Sequence, residues 1–155
     1  MMTTTVAKVV LAPGERQVLE GLADGSMLAA LALRLTIREG TAAGYLKLAK
    51  RKLYGVSETA AALAVAYATN AVDRPKLLDP ELLYLPREQR DLVPLIAREM
   101  TAAQMATALK RQADIVRRDG RELLANLQAR NRAHTITRAW QHQILTADQV
   151  IEWLR

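Results

Sequence analysis

Two windows of this chain share one order of apolar residues when the second is set 74 residues after the first, and that internal repetition constrains the fold more than any other feature. Leu11 falls on Leu85, Val18 on Leu92, Leu19 on Val93, Leu22 on Ile96, Leu31 on Met105, Ala32 on Ala106, Leu35 on Leu109 and Leu53 on Leu127. Half of these eight pairs are identical and the others keep their class, so each copy must build the same small unit. Half of the 155 residues are hydrophobic and none is Phe. The core must come from Leu, Ala, Val, Ile and Met, which suits helices better than sheets, and the fold class expected is all-α. Between the copies, "AVDRPKLLDPELLYLP" carries Pro75, Pro80 and Pro86, which break helices and mark a linker.

Each copy divides into four short helices. In the first they run over 15–24, from Met27 or Leu28 to Leu35, from Glu39 to about Leu53, and from Ser57 as N-cap to about Thr69, with Gly25 suited to the left-handed position past the first. The second repeats this over 88–98, 101–110, 113–127 and 132 to about 143, with a capping box in Thr101 and Gln104. Pro94 falls inside its first helix, where it forfeits a backbone bond at a cost of about 3 kcal/mol, so that helix is expected to kink or begin late. An extra C-terminal helix follows, opened by a capping box in Thr146 and Gln149, and Asp79 caps a short turn begun by Pro80.

The third helix of each copy separates its residues by face. Ala42, Leu46, Ala49 and Leu53 recur at spacings of four, three and four and make a buried stripe, which leaves Ala43, Gly44, Lys47, Lys50 and Arg51 outward. In the second copy Val116, Gly120, Leu123 and Leu127 make the stripe, and Arg117, Arg118 and Arg121 face out beside Asp119. A charge run of this kind can be a plain solvated face. It is also where a recognition helix places long donors to reach base edges and phosphates.

Those residues resemble the LuxR/GerE-type helix-turn-helix DNA-binding domain in two tandem copies. The resemblance lies in "LAPGERQVLEGLADG" at the start of the first copy, in "REGTAAGYLKLAKRKLYGVS" along its third helix, where Tyr54 is an extra residue, and in "LLANLQARNRAHTI" at the end of the second. It implies two four-helix helix-turn-helix modules, over 1–72 and 85–155, the latter including the C-terminal helix, joined by a linker over 73–84. It also implies that the third helix enters the major groove. Carried over by position, the contacts fall to Ala43, Gly44 and Lys47 in the first copy and to Arg117, Arg118 and Arg121 in the second. Thr41, Lys50 and Arg51 are candidate phosphate partners, although Lys50 and Arg51 can equally serve to solubilise a helix end. In that family the fourth helix is the usual dimer contact, which assigns Leu63, Tyr67 and Trp140 to an interface. That interface lies either between the two modules of one chain, as a pseudo-dimer, or between two chains. The linker permits both, since about 15 extended residues span about 50 Å, more than the 34 Å or so between half-sites one turn apart.

The formal charge of +6 points to a polyanion, nucleic acid before an acidic membrane surface. The absence of cysteine removes disulfides, thiolate metal sites and thiol nucleophiles, and fits a reducing compartment. The start of the chain lacks a signal-peptide pattern, and the apolar run 60–68 is far shorter than the roughly 20 residues a membrane span needs. His134 and His142 have no carboxylate or cysteine arranged around them, so no metal site is expected, and no phosphate loop, nucleophile elbow or catalytic carboxylate pair argues for an enzyme or a cofactor. The expected function is that of a bacterial transcription regulator that binds double-stranded DNA by sequence in the cytoplasm, associated with the nucleoid. The alternative is an adaptor of degenerate modules that grips a protein such as polymerase or another regulator, with the C-terminal helix from Thr146 as one contact.

Overall fold

The computed structural model describes residues 8–154, and every regular element among them is helical. Ten α-helices follow in order: α1 Pro13–Leu22, α2 Leu28–Leu35, α3 Glu39–Lys52, α4 Thr59–Ala68, α5 Arg87–Arg90, α6 Leu92–Ala97, α7 Ala102–Leu109, α8 Ala113–Leu127, α9 Arg132–Gln141 and α10 Ala147–Trp153. A single 3-10 turn, Pro80–Leu82, lies in the connection and is opened by Asp79, whose carboxylate accepts from the Glu81 N–H at 2.9 Å. No described helix is long and apolar enough to cross a membrane.

The backbone repeats at the same offset of 74 as the apolar pattern. The span of α2 shifted by 74 is that of α7, and α3 and α8 start in register. Three helix terminators coincide residue for residue, Gly25 and Glu99 (φ 85° and 66°), Thr36 and Lys110 (59° and 56°), Tyr54 and Gln128 (65° and 54°), after which the offset drops to 73, at α4 and α9 and at Asn70 and Gln143 (58° and 61°). At the second and third of these pairs the next N–H reaches back over the helix end, from Ile37 to the Ala32 carbonyl and from Arg111 to that of Ala106, then from Gly55 to Lys50 and from Ala129 to Leu124. Tyr54 is therefore a helix terminator with a counterpart, and the one extra residue of the first half falls after it, before the N-cap Glu58.

Two local expectations need correction, and the fault expected at Pro94 is found. Helix α1 starts at Pro13, where the missing proline N–H is harmless, and Glu15 accepts the Ala12 N–H at 3.0 Å. The matching helix of the second half is broken into α5 and α6 at Asp91, because Pro94 has no N–H for the Arg90 carbonyl one turn back. Ser57 is not the N-cap of α4. That place belongs to Glu58, whose own side chain does not cap, and the Ser57 and Glu58 N–H groups donate instead to the Glu99 carboxylate from the other half of the chain.

A helix that is apolar all round must be covered on several sides, and α4 is: every residue from Ala60 to Ala68 is buried, with α1, α3, α6, α9 and α10 packed around it. The main apolar cluster runs through both halves, joining Leu19, Leu53, Leu63 and Tyr67 to Leu92, Leu123, Ile136 and Trp140. A smaller one closes α1, α2 and α3 around Val18, Leu22, Leu31, Ala32 and Ala42.

The stripe expected along α8 is shifted. Val116, Asp119, Leu123 and Leu127 are buried, whereas Gly120 stands at its shoulder and a methyl group added there meets nothing within 4 Å. Steps of three, four and four keep Asp119 on the inner face. Gly120→Ala is therefore expected to stabilise the protein by up to about 1 kcal/mol, the helix propensity difference, read from a urea unfolding curve followed by circular dichroism.

Candidate nucleic-acid interface

Helices α3 and α8 are each presented by the helix before them through a connection of three residues, 36–38 and 110–112, whose first member turns the chain in the left-handed conformation. α3 rests on α1 and α2, and α8 on α5 and α7, so each keeps one long face toward solvent. A polar tie seats each helix at equivalent positions. In the first half the Lys52 ammonium lies 2.7 Å from the buried Glu15 carboxylate. In the second, Asn126 donates to the buried Gln89 at 2.7 Å, and both residues lie 74 positions after the first pair. Arg111 anchors the turn before α8, donating to the Asp91 carboxylate at 2.7 Å and to the Glu88 carbonyl at 3.0 Å.

On the outward face of α8 stand Arg117, Arg118 and Arg121, all exposed, the first two with 52% and 56% of their side-chain surface open. Arg117 donates to the almost fully exposed Asp114 at 3.1 Å, a surface pair worth about 0–1 kcal/mol that a phosphate can displace. Arg118 has a nitrogen 3.6 Å from Asp119, too far for a hydrogen bond. Arg121 makes no ion pair among the described residues. Asp119 was expected outward, as a charge that would repel DNA. It is buried, its Oδ2 has no partner, and its Oδ1 lies within ion-pair distance of Arg118, so its charge faces that guanidinium and is not displayed alone.

On α3, Thr41, Ala43, Gly44, Lys47 and Arg51 are exposed and Lys50 is half-buried. Ala43, Leu46, Lys47, Lys50 and Arg51 line an open depression of about 530 Å³ with Val56 and Ser57. Lys47, Lys50 and Arg51 have no ion pair among the described residues, in contrast to Lys52, which serves the scaffold. Arg38, exposed at the mouth of α3, adds a cation that the sequence reading missed. Its only signal is its place, equivalent to Gln112 before α8.

Leu63, Tyr67 and Trp140 are all buried, and the helices that carry them, α4 and α9, pack on each other within one chain. The Tyr67 hydroxyl and Thr137 Oγ1 are 2.9 Å apart, the Tyr67 and Trp140 ring centroids 5.5 Å, and the Arg74 guanidinium lies over the Trp140 ring at 5.2 Å. Burial pushes the Tyr67 hydroxyl pKa up, with the bond to Thr137 acting against it.

His134 is half-buried and His142 is buried. Burial, then the nearby Arg138 and Arg130, hold the His134 imidazole below its ordinary pKa against the opposing pull of Asp24, and its Nδ1 accepts from the Arg130 N–H at 3.1 Å. Burial and Arg138 do the same to His142. Both bind a proton more tightly in the unfolded chain, so the stability they contribute is complete above about pH 6.5 and is lost as the pH falls from there through their folded values. Glu15 adds a second stage. Burial alone would raise its pKa, but the Lys52 ammonium and the Ala12 N–H outweigh that and hold it down, so its contribution disappears as the pH falls below the ordinary carboxylate range. Thermal unfolding between pH 8 and pH 3 is expected to show Tm falling in both stages, and His134→Gln with His142→Gln to flatten the upper one.

Comparison of the chain with family models, with curated proteins and with solved structures gives no match in any of the three.

Proposed function

We propose that this chain is a sequence-specific double-stranded DNA-binding protein, a bacterial transcription regulator built of two tandem helix-turn-helix modules, over 1–72 and 85–155 with the linker 73–84 between them. The observation that carries the proposal is the exposure of Arg117, Arg118 and Arg121 along the outward face of a helix seated by a three-residue turn. Guanidinium groups at that place can each form two bonds to guanine O6 and N7 or to a phosphate. On the other third helix, Lys47, Arg51, Lys50 and Thr41 suit backbone contacts more than base reading, since Ala43 and Gly44 offer no donors beyond the main chain.

Binding to random duplex in a gel shift at low salt, followed by enrichment of bound sequences, tests the proposal. Affinity is expected to fall linearly with salt on logarithmic axes, with a slope near −0.9 for each phosphate neutralised, and a motif to emerge from the enriched pool. Binding without an enriched motif removes the sequence-specific reading. An adaptor function is the second reading, favoured by Leu33, Leu82 and Tyr84, which are 81%, 71% and 84% exposed. It gains if duplex binding is weak and motif-free.

A further inference from the structure

At the helix connections the contacts between the two halves are reciprocal, although α6 packs on α4 more closely than α1 does on α9. The connection after α1 touches the start of α9, with the Asn131 amide donating to the Gly25 carbonyl at 3.0 Å. The equivalent connection after α6 touches the start of α4, with Glu99 accepting from the N–H groups of Ser57 and Glu58, the latter at 2.6 Å. Glu99 is Gly25 shifted by 74, and Glu58 and Asn131 are the N-caps of α4 and α9, so residue i meets j′ while i′ meets j. Glu58, the N-cap of α4, also pairs at 3.1 Å with Arg132, the first residue of α9, so the two helix starts lie side by side. The same helix from each half, α4 and α9, forms the seam. A chain whose repeats were stacked by simple translation would make such contacts in one direction only. This pattern is that of an isologous dimer interface, here closed within one chain.

We infer that a single chain occupies the target DNA, and that the target is an inverted pair of unequal half-sites; this rests on the DNA-binding reading above. A two-fold relation between the halves carries over to α3 and α8, and recognition helices so related read arms that run in opposite senses. The arms differ because the helices do. Three guanidiniums on α8 select a guanine-containing arm, while Ala43, Gly44 and Lys47 on α3 leave the other arm weakly defined. The stoichiometry follows from burial. α4 has no exposed residue between Ala60 and Ala68 to offer a second copy, because α9 covers one side and α10, which has no counterpart in the first half, packs on it as well.

The experiment combines native mass spectrometry of the full chain on its enriched duplex with motif selection for the wild type, Arg121→Ala and Lys47→Ala, both at exposed positions, with circular dichroism to confirm folding. The expected result is one chain per duplex and a two-part inverted motif of unequal information. Arg121→Ala is expected to relax guanines in one arm alone, with a loss of about 10- to 100-fold on the original site. Lys47→Ala is expected to weaken binding to all sequences alike and to reduce the salt slope by about 1. Two chains per duplex, a palindrome of equal arms, a direct repeat or a one-part motif overturns this inference and leaves the DNA-binding reading standing. Absence of any duplex binding overturns both.

Discussion

Replacing Arg117, Arg118 and Arg121 together with alanine is expected to lower affinity for the enriched duplex by about 10³-fold or more, to the level of random DNA, and to leave the fold intact. A bidentate contact to guanine discriminates by about 1–3 kcal/mol, and the interval between specific and non-specific binding is about 10³ to 10⁷, so losing three such groups at neighbouring positions on one helix removes most of it. The three losses are not expected to add, because the groups share one stretch of groove. All three side chains are exposed, and the one hydrogen-bonded ion pair among them, Arg117 with Asp114, is a surface pair. Arg118 is also the ion-pair partner of the buried Asp119, so Tm should fall somewhat while the variant stays folded. Fluorescence anisotropy on specific and scrambled duplexes, beside thermal unfolding, checks both parts. Unchanged site preference in the triple variant would falsify the assignment of these arginines.

Tyr67→Ala is expected to cost about 3–5 kcal/mol, the range for truncating a large buried aromatic side chain. The ring packs against Trp140 across the α4–α9 seam, and its hydroxyl is the partner of Thr137, which is buried and would lose that bond. Tyr67→Phe keeps the ring and should cost less, about 1–3 kcal/mol for the Thr137 hydroxyl left behind. Because one apolar cluster passes through both halves, urea unfolding of the wild type followed by circular dichroism is expected to show a single transition, shifted to lower denaturant in the variants. Two separated transitions would show that the halves fold independently of the seam.

Local chemistry made much of the architecture legible. The capping boxes at Thr101–Gln104 and Thr146–Gln149, the short turn at Asp79 and the spans of α2 and α8 all rest on interactions within a few residues, and each is found where the residue pattern puts it. Pro94 announced a fault in the first helix of the second half, and the break falls at Asp91. Errors arose where the deciding group lies far along the chain. Ser57 has the right chemistry for an N-cap, but a carboxylate from residue 99 takes the N–H groups it would have capped. Gly120 looked buried, and Asp119 exposed, because Gly120 falls on Leu46 of the first half at the offset of 74. The step of three from Val116 places Asp119 inward all the same, a choice set by how α8 packs on its neighbours rather than by polarity.

The outward arginines of α8 were legible for the same reason as the helices: periodicity alone assigns a face, and Val116, Leu123 and Leu127 suffice to fix which face turns in. The apolar α4 announced that it needed cover on several sides, but composition could not say from where. Only the tertiary structure decided that α9 and α10 of the same chain supply it, because closing a seam depends on shape and on contacts between residues some seventy positions apart, such as Tyr67 with Thr137. Repetition in the sequence therefore determined two like halves with a cationic face on each third helix, and packing alone decided that the halves meet along α4 and α9 within one chain.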